Sequence, residues 1–374
     1  MLLLAEPVLA QEVADDGLSL ELAYTGEVLA GQGARGVDYL DNLDVMVSAR
    51  SGDTRLFAYA LYNNGAEFSG PRYPRGLVAS NIETGVEAVR LYEAWIDQTL
   101  DGGKLSLRAG LYDLNSEFDA LDAARLFVNP AHGIGTDFSQ SGANGPSIFP
   151  VTSLALRLQY KASASTIVRL AVLDGVPGDP AHPQRTAIRL GSGDGALLAG
   201  ELEQEAGDWR LIAGYWRFTA PSRDLLDSAR AGAEILRRGA QGAYLRGEGR
   251  IAGSRKGRGI DAFFRLGWAD GRFHEGERFA SAGLRWREPI KGRGQDQAGV
   301  AVVWSGSSSR AREALTLGGE TIARNDWAFE ATYALALTEW LTVQPSLQWF
   351  INPAYERGRK ALMGGLRFTT NWEF

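Results

Sequence analysis

Arginine, carboxylate and aromatic side chains crowd one part of this 374-residue sequence. Glu93, Trp95, Arg108 and Tyr112 precede a long connecting segment that opens with Asp113, Asn115, Glu117, Phe118 and Asp119, and Arg157 follows it. Guanidiniums donate hydrogen bonds, carboxylates accept them, and aromatic rings offer flat apolar faces. Together they can form a wall that holds a polar solute. Arg108 and Arg157 are expected to face Glu117 or Asp119. In the alternative reading, Asp119 caps a short helix with Asp122 and Glu117 only tethers the segment. Covalent chemistry has less to work with. His132, His182 and His274 lie in connecting segments, with no Ser or carboxylate at motif spacing. No G-x-S-x-G, H-E-x-x-H or phosphate loop occurs. The chain has no Cys, which removes disulfides and thiolate–metal sites. No ligand spacing supports a metal, and no cofactor is implied.

The elements that position these residues alternate with period 2. In the final segment Leu362, Leu366, Phe368, Trp372 and Phe374 share one face with Gly364 and Thr370, and Arg367, Asn371 and Glu373 lie on the other. That pattern is a strand with one apolar and one wet face. An edge strand of this kind invites aggregation, and closure into a barrel removes the edge. Sixteen such strands can be read, at 18–29, 39–50, 54–63, 89–99, 104–112, 152–161, 165–174, 195–205, 209–219, 240–252, 258–269, 279–288, 296–305, 326–337, 340–351 and 359–374. Connections after even strands are short or modest, and the longer ones follow odd strands. That asymmetry, with strands of roughly 9–15 residues, fits a bilayer-spanning antiparallel barrel. No run of ~18 apolar residues provides a transmembrane helix.

Tryptophan supports the same reading. Trp216, Trp268, Trp304, Trp327 and Trp349 are expected near outer strand ends, and Trp209, Trp286, Trp340 and Trp372 near periplasmic ends. Trp95 is mid-strand. Trp209 and Trp340 face inward by parity, and Pro345 predicts a bulge in its strand. The inward set is charged: Glu21, Asp44, Arg50, Glu93, Asp97, Arg108, Arg157, Arg169, Arg217, Arg246, Arg265, Arg285, Arg287, Glu330 and Arg367. Segment 113–150, the third outer loop, is too apolar for a free surface loop and is expected to fold into the lumen. Residues 1–10 read as a signal-peptide remnant, and 11–374 as one barrel domain. The net charge of −6 argues against a nucleic-acid partner.

The words of the sequence add to the pattern. LYEAWIDQ (91–98), RAGLYDLNSEFD (108–119), ARLFVNPAHGIG (124–135) and GANGPSIFP (142–150) resemble the OprB-type carbohydrate-selective porins of Gram-negative outer membranes. The resemblance implies a sixteen-stranded barrel that passes glucose and related sugars. A hexose has hydroxyls that donate and accept, and flat C–H faces, so the charged and aromatic residues above suit it. Binding is expected to be weak, because a conducting site must release its solute. Other expected partners are outer-membrane lipid and lipopolysaccharide, and barrel-assembly machinery acting through Trp372 and Phe374. A general or anion channel, a barrel enzyme and a soluble all-β binding protein remain as alternatives.

Overall fold

The computed structural model describes residues 17–31, 36–73, 75–254 and 256–374. The expected signal remnant at 1–10 lies outside them. Sixteen strands close into one antiparallel barrel. The first eight are β1 (Gly17–Gly31), β2 (Asp38–Ser51), β3 (Thr54–Asn64), β4 (Glu87–Leu100), β5 (Leu105–Tyr112), β6 (Ser153–Ser163), β7 (Thr166–Asp174) and β8 (Ala196–Ala206). The second eight are β9 (Trp209–Phe218), β10 (Gln241–Gly253), β11 (Gly259–Ala269), β12 (Gly276–Arg287), β13 (Gln297–Ser307), β14 (Asn325–Ala336), β15 (Leu341–Ile351) and β16 (Lys360–Glu373). Register Glu21↔Glu373 through Gly31↔Met363 joins β1 to β16, so neither is an edge. Turns 52–53, 101–104, 164–165 and 207–208 lie at one end of the barrel. Connections 65–86, 113–152, 175–195 and 219–240 lie at the other.

Alternation sorts the side chains. Glu27, Asp44, Arg157, Arg246, Arg265, Glu330 and Arg367 are buried on the inner face, and Leu56, Ile96, Leu170, Leu266 and Leu366 are exposed on the outer one. A cation moved to the lipid face at mid-depth would cost ~2–4 kcal/mol, which keeps the pattern strict.

The structure departs from the period-2 count or from an expected feature in several places. On β9 the parity is reversed. Trp216 is fully buried and stacks on Phe138 of segment 113–150 at 4.8 Å and 3°, whereas Arg217 is exposed outside. Both faces of this strand are apolar, so alternation gave no sign of which turned inward. Trp209 accordingly packs on outward Phe264 at 6.5 Å, and Trp340 stacks on exposed Trp372 at 6.5 Å and 14°. On β4 a bulge separates the pairs Tyr59↔Glu93 and Ala60↔Leu91, so Tyr92 turns inward beside Glu93. An extra residue in one strand shifts every face beyond it. Pro345, in contrast, causes no bulge. Thr332↔Ser346 and Leu335↔Val343 keep one register across it, and the Thr332 hydroxyl donates to the Pro345 carbonyl at 2.9 Å. Finally, Asp119 and Asp122 do not cap a helix. Only a 3₁₀ turn, Ala123–Leu126, forms there, and the Asp122 side chain makes no cap bond. The Ala123 N–H donates instead to Glu248 of β10 at 2.8 Å.

Candidate functional site

Segment 113–150 is held by inner-face side chains from strands around the barrel. Its backbone N–H groups supply many of the bonds. Asp119 donates to Glu201 of β8 at 2.7 Å. Val128 and Asn129 donate to the two oxygens of Glu330 on β14 at 2.7 and 3.0 Å. The Leu126 carbonyl accepts from Gln344 of β15 at 2.7 Å. Carboxylates on rigid strands thus satisfy a loop backbone that has only short helical turns of its own, as buried N–H groups require.

Three charged clusters do the rest. In the first, Arg157 donates to both oxygens of Glu117 at 2.8 and 2.9 Å and to Asp97 at 2.8 Å. Arg108 bonds Asp97 at 3.0 Å and approaches Glu117 at 3.6 Å, and the Tyr112 hydroxyl donates to Glu117 at 2.5 Å. In the second, Arg265 of β11 grips Asp119 at 2.7 Å and Asp137 at 2.7 Å, with all three side chains fully buried. Arg246 and Tyr244 of β10 hold Glu201 nearby at 3.0 and 2.7 Å. The expected pairing of Arg108 and Arg157 therefore falls on Glu117, and Asp119 takes a partner the sequence reading did not assign to it.

The third cluster fixes connection 65–86. Glu83 accepts from the Phe68, Ser69 and Ser80 N–H groups and the Ser69 hydroxyl at 2.6–3.0 Å. Ser80 donates to Glu27 at 2.5 Å, and Arg367 donates to Glu27 at 2.7 Å and to Asn81 at 2.8 Å.

Between these two segments and strands β1–β4 lies a cavity of about 310 Å³, at the small end of the range for small-molecule sites. Of the predicted residues, Glu93, Asp113 and Asn115 line it. Arg108, Trp95, Tyr112, Glu117, Phe118, Asp119 and Arg157 do not. Arg55, Phe57, Tyr59 and Glu21 line it as well. Trp95 stacks behind Phe57 at 4.9 Å and 26°, its Nε1 donates to Glu93 at 3.1 Å, and the Arg108 guanidinium lies 3.7 Å from its ring centre. Gly110, at φ +141°, permits this. A Cβ there would meet the Ala94 carbonyl at 2.1 Å and Trp95 Cα at 2.6 Å. Phe118 is fully buried, and the Asn115 side chain closes the loop on the Phe118 and Asp119 carbonyls at 3.0 Å each. The Arg55-x-Phe57-x-Tyr59 alternation was the available signal, obscured because both faces of β3 are apolar.

Electrostatics set how firmly the first cluster holds. Burial alone would raise the Glu117 carboxyl, but Arg108 and Arg157 outweigh it and hold the group at about 2. With its folded value depressed, Glu117 stabilises the closed segment fully above the ordinary value of 4.5 and loses that effect as pH falls towards 2. Single-channel current noise should therefore stay unchanged between pH 7 and pH 5 and grow below pH 3. Glu117→Gln should be noisy throughout, and a noisy wild type at pH 5 would show that this tether does not hold the segment. Burial lowers His132 to about 3, and its ring lies against Phe127 at 4.8 Å with no hydrogen bond among the described residues.

A model of the carbohydrate-selective porin, OprB family, matches residues 47–372. Porin B of Pseudomonas aeruginosa is 23% identical over 315 residues, covering 75% of this chain and 68% of that protein. The high-pH structure of Pseudomonas putida OprB superposes with a TM-score of 0.84 at 18% identity, over 97% of this chain and 96% of the other. The outer-membrane channel DcaP of Acinetobacter baumannii superposes with a TM-score of 0.58 at 10% identity, over 96% and 97%.

Proposed function

Since the chain belongs to the OprB family of carbohydrate-selective porins of the outer membrane, we propose that it passes glucose and similar monosaccharides between the β1–β4 wall and two segments folded into the lumen. The cavity carries this reading. Arg55 offers donors, Glu21, Glu93 and Asp113 offer acceptors, and Phe57 and Tyr59 offer flat faces, which together meet what a hexose presents. Solute diffuses down its gradient, and the protein contributes selection by shape and hydrogen bonding. Arg108, Arg157, Trp95 and Tyr112 act behind this surface, positioning it. No bond is broken in the process, and the chain acts as a channel and not as an enzyme. Trp372 and Phe374, both exposed, provide an aromatic handle for barrel-assembly machinery.

An anion channel would need inward arginines free to meet the solute. Arg157, Arg169, Arg246, Arg265 and Arg367 are each paired with a carboxylate within 3.0 Å, so they present little free positive charge to a passing anion. Uptake into liposomes carrying the purified protein tests the proposal, with glucose, an uncharged non-sugar and an amino acid of similar size compared. Faster entry of glucose is expected. Equal entry of all three would remove glucose selectivity, and folded protein passing nothing would remove the path itself.

A further inference from the structure

Nearly every arginine of the inner face is tied to a carboxylate, but two arginines on the outer face are not. Arg217 lies at the long-loop end of β9, and Arg278 lies at the same end of β12. Both are exposed and point away from the lumen. Neither has an ion pair or side-chain hydrogen bond among the described residues. The sheet order β9-β10-β11-β12 separates them by three strand spacings, about 14–15 Å.

What lies towards mid-membrane from them is aromatic, then aliphatic. Tyr215, two residues from Arg217, is 47% exposed, and its hydroxyl donates to Gln241 at 2.7 Å. Trp268 pairs opposite Arg278 and is 41% exposed. The Trp304 ring lies over Gly306, and Arg278 Cβ is 3.5 Å from where a Gly306 Cβ would sit. Leu211, Leu245 and Leu266 then continue the face as exposed apolar surface. Cations above rings above leucines match an amphiphile whose anionic groups sit at the water boundary and whose chains run into the bilayer.

The distribution is uneven. At the same end of the barrel, β2 presents Tyr39 and Asp41 outward, β4 presents Glu87, and β16 presents a solitary cation, Lys360. If the arginines served only to contact bulk headgroups, such cations would be expected all round the barrel. We propose that the outer surface of β9–β12 binds one phosphorylated glycolipid of the outer leaflet, with Arg217 and Arg278 each taking a separate phosphate. The inference rests on the outer-membrane placement of the barrel and not on the solute path.

Native mass spectrometry of the full chain in detergent tests it, with diphosphoryl lipid A, monophosphoryl lipid A and phosphatidylglycerol as probes. Diphosphoryl lipid A should be retained best. Removing one phosphate or one arginine should weaken retention about fivefold, the effect of one cation at an anionic lipid surface. Arg217→Ala/Arg278→Ala together should weaken it roughly 25-fold, to the level of phosphatidylglycerol. Arg223→Ala, an exposed arginine on the connection above the barrel, should change nothing. Heat-modifiable gel migration and unchanged sugar uptake would show that the double variant is folded, so its failure to bind would not reflect loss of the solute path. Equal retention of phosphatidylglycerol by the wild type, or undiminished lipid A on the double variant, overturns the site.

Discussion

Arg265→Met should open the channel. The substitution keeps bulk but leaves Asp119 and Asp137 buried together with no cation between them, where Arg265 now holds both at 2.7 Å. Breaking a fully buried pair from one side costs about 3–5 kcal/mol, more than any single backbone bond elsewhere along the segment contributes. The two aspartates span the middle of segment 113–150, and the strand pairs of the barrel do not depend on them. The loss therefore falls on the segment and spares the wall. Single-channel conductance should rise severalfold, and liposomes should admit a disaccharide as readily as a monosaccharide. Arg265→Lys restores one charge without the fork that serves two carboxylates, so its conductance should lie between the two. An Arg265→Met channel with wild-type conductance and size discrimination would mean that the segment does not set the width of the path.

How far the sequence reveals this arrangement depends on the kind of interaction. Strand number and the inner and outer faces follow from period 2 wherever one face is charged, as on β16, where Arg367 alternates with Leu366 and Phe368. The reading fails on β9, where Trp209, Leu211, Ile212 and Trp216 make both faces apolar, and at Tyr92, where one extra residue reverses the count. The site divides in the same way. Glu117 was legible because it lies between two arginines of neighbouring strands in an otherwise distinctive stretch. The Asp119–Arg265 pair joins residues 146 positions apart, and no local pattern relates them. Arg55 and Phe57 were hidden for a third reason. Their importance comes from facing the cavity between strands β1–β4 and the connections 65–86 and 113–152, a juxtaposition of distant residues that no local pattern shows.

The same cavity makes Arg55→Ala the variant with the largest effect on selection. Arg55 and Arg125 are the two guanidiniums on the cavity, against Glu21, Glu83, Glu93 and Asp113. Arg125 lies 3.6 Å from Asp122 on its own segment. Arg55 uses its Nε on Ser48 at 3.1 Å and lies 5.6 Å from the Trp95 ring centre, which leaves its two outer nitrogens without a hydrogen bond among the described residues. Those donors are placed for a solute hydroxyl beside the ring of Phe57. A hydrogen bond to a charged group contributes about 1.5–3 kcal/mol, so glucose uptake should fall at least about tenfold in Arg55→Ala while the uptake of an uncharged non-sugar changes little. Removing the cation also leaves carboxylates to dominate the path, and reversal potentials in a salt gradient should shift towards cation selectivity. Arg55→Lys should keep the wild-type reversal potential and recover only part of the sugar uptake, because a point charge replaces a fork. If Arg55→Ala slowed all solutes equally, the residue would be shaping the path and not reading the sugar.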